Sequence, residues 1–95
     1  MPKGYVIGRA MVTNATQWAV YAAESSRLIA QYGGKPLVRG GQSSVGEGEG
    51  RARNIVLEFD SYDQAKAYLF SADYAAARKL REGAGVIDLV AVEGV

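Results

Sequence analysis

Ile55-Val56-Leu57 and Ile87-Asp88-Leu89-Val90-Ala91-Val92 decide the fold, because each is apolar almost without a break. Tyr5-Val6-Ile7 and Leu37-Val38 have the same character. A half-exposed strand alternates apolar with polar residues, whereas a strand covered on both sides reads as a near-continuous apolar run. The chain supplies helix enough for one face of such a sheet. The other face needs a second protein surface, so an obligate oligomer is expected, with a second copy of the chain as the partner.

Outward from those runs, the first strand extends over about Gly4 to Val12. Asn14 stands where a helix N-cap belongs, with Gln17 at the spacing of a capping box. The following helix carries Trp18, Tyr21, Ser25, Leu28, Ile29 and Tyr32 on one stripe, and Gly33-Gly34 ends it. Pro36 to Arg39 is a short second strand whose proline suits an edge. Five of the eleven residues from Gly40 to Gly50 are glycine, which predicts a loop with a short irregular strand around Ser43 to Val45. The third strand runs from Ala52 to Phe59. Ser61 caps a second helix with Gln64 at the box position, and Ser71 opens a further stretch from Tyr74 to Arg81. Val86 to Val92 is the last strand.

The order β-α-β-β-α-β is the split pattern of the ferredoxin-like fold, in the α+β class, within a single domain over residues 1–95. Right-handed crossovers put the helices on one side of a four-stranded antiparallel sheet.

Composition narrows the chemistry. The chain has no cysteine and no histidine. Disulfides, thiolate nucleophiles, Cys/His zinc sites and His-ligated haem are therefore excluded, and no metal or other cofactor is expected. Eleven basic and ten acidic side chains leave a formal net charge of +1. Arg51-Ala52-Arg53 and Arg78-Lys79 with Arg81 have acidic neighbours, so nucleic-acid binding is not expected. The Gly46-Glu47-Gly48-Glu49-Gly50 run lacks the pattern of a phosphate loop. No segment approaches the ~20 apolar residues of a membrane span, and no signal-peptide stretch opens the chain, so a cytoplasmic location is expected.

Four positions draw attention. Arg39 ends a strand directly before two glycines, where it can clamp a carboxylate or enolate, or pair with Glu58 to hold the sheet end. Glu58, inside an apolar strand, is a candidate proton carrier in a dry cleft, or the structural partner of Arg39, Arg9 or Arg81. Tyr74 and Arg81 are two helical turns apart and can face one way, suiting a small acidic or phenolic ligand or else filling core and helix end. Tyr21 lies on the aromatic stripe of the first helix, a pattern of core packing that can also wall a ligand cleft.

Tyr32-Gly33-Gly34-Lys35-Pro36-Leu37-Val38-Arg39-Gly40-Gly41 resembles a known family, with Gly4-Tyr5-Val6-Ile7, Glu58-Phe59 before Ser61, Ser71 to Tyr74, and Glu93-Gly94 matching in order. The resemblance is to the domain of unknown function 1330 family, in the dimeric α+β barrel superfamily. It implies two sheets packed face to face about a two-fold axis, and it includes Arg39. Two departures stand out: Asn14 replaces the usual aspartate, and Gly48-Glu49-Gly50-Arg51 lacks the aromatic residue that members often carry after the loop. Superfamily relatives include cofactor-free monooxygenases, lactone isomerases, polyketide cyclases and haem-dependent enzymes, so the fold leaves the reaction open.

The expectation is a homodimer that binds, and as an enzyme would transform, a small acidic or aromatic metabolite without a metal. Arg39 and Glu58 are its candidate catalytic residues, and Tyr21, Arg39, Tyr74 and Arg81 its candidate ligand contacts. The alternative is a non-catalytic accessory or stress-related dimer.

Overall fold

The computed structural model describes residues 2–95. In chain order they form β1 (Gly4–Val12), α1 (Ala15–Gln31), β2 (Lys35–Arg39), β3 (Arg53–Phe59), α2 (Tyr62–Leu69), α3 (Ala72–Arg78), a single 3-10 turn (Lys79–Arg81) and β4 (Gly85–Glu93). The strands lie in the order β2-β3-β1-β4 with every neighbouring pair antiparallel. This is the ferredoxin-like arrangement, and the proline-bearing β2 is an edge strand as its sequence requires.

Local signals fix the helix ends. Asn14 Oδ1 accepts from Gln17 N at 3.1 Å. The reciprocal half of the expected capping box does not form: Gln17 Nε2 instead donates to Leu80 O at 3.1 Å and Glu82 O at 2.7 Å, tying α1 to the 3-10 turn. Gln64 behaves alike, its backbone capped by Ser61 and its side chain donating to Tyr32 O. At the C-terminus of α1, Gly33 takes φ +80° and its N–H bonds Ala30 O, while Gly34 N bonds Ile29 O. That is the Schellman closure, for which only glycine is unstrained. Ser71 separates α2 from α3 by ending one and capping the other: its hydroxyl donates to Tyr68 O at 2.8 Å and accepts from Tyr74 N at 3.0 Å. The strand expected at Ser43 to Val45 is absent, because these glycine-flanked residues find no partner in the sheet.

The core lies between the helices and one sheet face. Val6, Ala10, Leu57 and Phe59 meet Trp18, Leu28, Tyr68 and Tyr74, all nearly inaccessible to solvent. Each large side chain so buried contributes about 1.5–3 kcal/mol of hydrophobic stabilisation before entropy is counted. The alternate residues Ile7, Met11, Val56, Val86, Val90 and Val92 point to the opposite face, which no helix covers. Val86 and Val90 remain 55% and 51% exposed there, so the apolar runs do serve two faces. The glycine-rich loop is fastened at its end over that face. Arg51 donates to Arg9 O at 3.1 Å and pairs with Asp88 at 3.1 Å.

Candidate functional site

A cavity of about 450 Å³ lies between α1 and the helix-facing side of the sheet. The helix contributes Tyr21, Ser25 and Ser26; the sheet contributes Ile55, Leu57 and Leu89; Tyr68 and Tyr74 close the wall formed by α2 and α3. Arg39, Gly40 and Arg53, exposed residues on β2, the loop after it and β3, mark the open end, and Ala23 of α1 is exposed as well. No aspartate or glutamate lines it. The volume suits a small molecule, since ligand pockets commonly run from about 300 to 1,000 Å³.

The polar groups inside occur as two hydroxyl pairs. Tyr21 Oη and Tyr74 Oη are 2.6 Å apart, and Ser25 Oγ and Tyr68 Oη are 3.1 Å apart. The rings pack edge to face or tilted, with centroids at 6.3 Å for Tyr21 and Tyr74 and 5.2 Å for Tyr68 and Tyr74. Burial pushes the Tyr68 phenol up to about 12, with Ser25 drawing it partly back. Burial, reinforced by Tyr21, holds the Tyr74 proton more firmly still. Both phenols are therefore neutral donors across the physiological range.

Arg81 is outside the lining but lies over two of the rings, its Cζ 5.0 Å from the Tyr21 centroid and 5.7 Å from that of Trp18. This is cation–π distance. Its Nε is buried without a hydrogen-bond partner among the described residues. Burial opposes the charge, yet the phenols of Tyr74 and Tyr21 outweigh it and strengthen the guanidinium's hold on its proton. The bonds from Gln17 to Leu80 O and Glu82 O fix the turn that carries it.

Arg39 reaches the cavity through an irregularity. Its strand pairs Pro36 with Leu57, then Val38 with Val56 and Arg39 with Ile55, so Leu37 is an extra residue in a β-bulge. Without the bulge, Arg39 would pair with Asn54 and project to the uncovered face; a shift of one residue exchanges the two faces. With it, Arg39 Nη2 donates to Ser26 Oγ at 3.1 Å, and Ser26 donates in turn to Ala22 O.

Glu58 takes the other side of the sheet. It stands opposite Tyr5 in the β1–β3 ladder and accepts a long bond from Tyr5 Oη at 3.3 Å. The expected pairing with Arg39, Arg9 or Arg81 is not formed. The two-residue period of the strand and the bulge in β2 put Arg39 on the opposite face, and Arg9, on the same face, stands four residues along β1 from Tyr5, the partner of Glu58. Tyr21, Tyr74 and Arg81 thus come together, Arg39 joins them at the cavity mouth, and Glu58 does not. Ser25, Ser26, Arg53 and Tyr68 also belong to the site and escaped the sequence analysis as functional candidates. Ser25 carried a signal: it is the polar member of an otherwise apolar and aromatic helix stripe.

No group of three or more metal-ligating side chains occurs among the described residues, and no helix there is long and apolar enough to cross a membrane.

No curated protein matches the chain. Among solved structures, it resembles the protein RPA0582 of unknown function from Rhodopseudomonas palustris, with a TM-score of 0.76 at 17% identity, covering 99% of this chain and 83% of the other. A dimeric ferredoxin-like protein of unknown function from Thermobifida fusca matches with a TM-score of 0.59 at 18% identity, covering 99% and 92%. An inferred antibiotic biosynthesis monooxygenase from Caulobacter crescentus matches with a TM-score of 0.58 at 17% identity, covering 99% and 91%. These likenesses concern the fold. The sequence itself goes further: residues 3–95 match the family described as Domain of unknown function (DUF1330), and the chain belongs to that family.

Proposed function

We propose that the protein binds a small anionic molecule with an apolar or aromatic body in the cavity beneath α1. The observation that carries this is the polarity of the lining: hydroxyls and two arginines among apolar walls, with no carboxylate. A cavity rich in donors and poor in acceptors favours a ligand that brings the acceptors. Arg39 holds the anionic group at the mouth, and Tyr21 and Tyr74 contact the ligand further in. Arg81 acts through those two tyrosines, since it is not itself in the lining. Glu58 has no place in this binding site.

The functional unit in this proposal is a homodimer joined through the uncovered sheet face. Support comes from the exposed valines there and from the dimeric Thermobifida fusca relative. An exposed cluster of apolar side chains on an uncovered sheet face favours association.

Thermal-shift and calorimetric titration with a panel of aryl carboxylates tests the proposal. Binding is expected in the wild type and lost in Arg39→Ala, with the variant's circular dichroism unchanged. Equal binding by the variant would remove Arg39 from the site.

A further inference from the structure

Resting on that reading, we infer that the ligand carries two oxygen functions: a carboxylate at the mouth, and a phenol, enol or carbonyl oxygen that reaches the tyrosine pair. The argument is an inventory of hydrogens. Two phenols own two hydroxyl hydrogens, and their mutual bond at 2.6 Å uses one. Neither Tyr21 nor Tyr74 has any other acceptor among the described residues. The nearby Arg81 guanidinium, whose Cζ lies 5.0 Å from the Tyr21 centroid, offers no acceptor, because arginine is a donor only. Whichever phenol donates, one hydroxyl hydrogen of the pair remains unspent beside the cavity that both residues line.

The second pair repeats the pattern. Ser25 and Tyr68 share one bond at 3.1 Å, and neither has a further acceptor among the described residues. Two unspent donors thus stand on the inner wall, with Arg39 and Arg53 at the exposed end and Ile55, Leu57 and Leu89 between. Water can meet the donors in an unliganded cavity, and a ligand oxygen can replace it without loss. A molecule with only a carboxylate leaves the inner donors unanswered. A hydroxyaryl or oxo carboxylate answers both ends across one apolar body.

The test uses the full chain and isothermal calorimetry. The probes are 4-hydroxybenzoate, 4-hydroxyphenylacetate and 3-(4-hydroxyphenyl)propanoate, each against its counterpart lacking the hydroxyl. The three lengths cover the unknown span between the two ends. At least one hydroxy acid is expected to bind about tenfold or more tightly than its counterpart. The double variant Tyr21→Phe/Tyr74→Phe, which removes both hydroxyls and orphans neither, should bring that ratio close to one. Arg39→Ala should weaken both members of a pair. Equal affinities within every wild-type pair would overturn the two-function ligand and leave the Arg39-dependent site standing. Absence of binding by every probe, or binding indifferent to Arg39, would overturn the site and this inference together.

Discussion

Tyr21 Oη and Tyr74 Oη lie 2.6 Å apart although 53 residues separate them in the chain. The bond joins α1 to α3 at the inner wall of the cavity and makes each buried phenol the hydrogen-bond partner of the other. Removing either hydroxyl strands its partner, at a cost of about 1–3 kcal/mol. Removing both leaves no orphan. In a denaturation cycle of Tyr21→Phe, Tyr74→Phe and the double variant, the double should therefore lose less than the sum of the singles. Strict additivity would show that the two hydroxyls do not interact.

Alkaline pH should weaken the fold through Tyr68. Its phenol is raised from 10.0 to about 12 in the folded state. The unfolded chain therefore releases this proton at a lower pH, so the stabilisation is complete below about pH 10 and declines as pH rises toward 12. The loss is at most about 1.4 kcal/mol per pH unit from this group. Chemical denaturation at pH 9, 10 and 11 should show the slope, and Tyr68→Phe should reduce it. An unchanged slope in that variant would place the alkaline sensitivity elsewhere.

Arg39→Ala should leave the fold intact. The side chain is exposed on an edge strand, and its bond to Ser26 is at the surface. A stability change within about 0.5 kcal/mol is expected, beside loss of carboxylate binding. Unfolding of this variant would instead make the arginine a structural residue.

Gly4→Ala should be among the most damaging small substitutions. A Cβ at Gly4 would sit 2.2 Å from Ser61 O and 2.6 Å from Tyr62 Cα, both backbone atoms at the start of α2. Separating β1 from α2 to make room should cost at least about 2 kcal/mol, measured as a lower denaturation midpoint. A wild-type midpoint would mean that this close approach has slack.

Val90→Asp tests the second sheet face. Val90 is 51% exposed on a single chain, so a charge there should cost the isolated fold little. In a homodimer joined through this face, the same change buries an unpaired carboxylate. Sedimentation should find the wild type dimeric and Val90→Asp monomeric and folded. A variant that stays dimeric would move the interface away from the sheet.

Much of this was written locally in the chain. Asn14, Ser61 and Ser71 cap helices because a short oxygen-bearing side chain reaches its own next turn, and Gly33 closes α1 because it alone is unstrained at positive φ. The continuous apolar strands announced apolar residues on both faces of the sheet, and the element order announced the ferredoxin-like arrangement. What the chain could not state was the sorting of polar residues between those faces. Arg39 and Glu58 looked like partners, yet one extra residue at Leu37 turns Arg39 toward the cavity while Glu58 faces away. A bulge is a property of two paired strands and leaves no periodic mark on either one. The meeting of Tyr21, Tyr74 and Arg81 is likewise tertiary, because it depends on how α1 and α3 lie across the sheet, and spacing within one helix carries no information about distance to another.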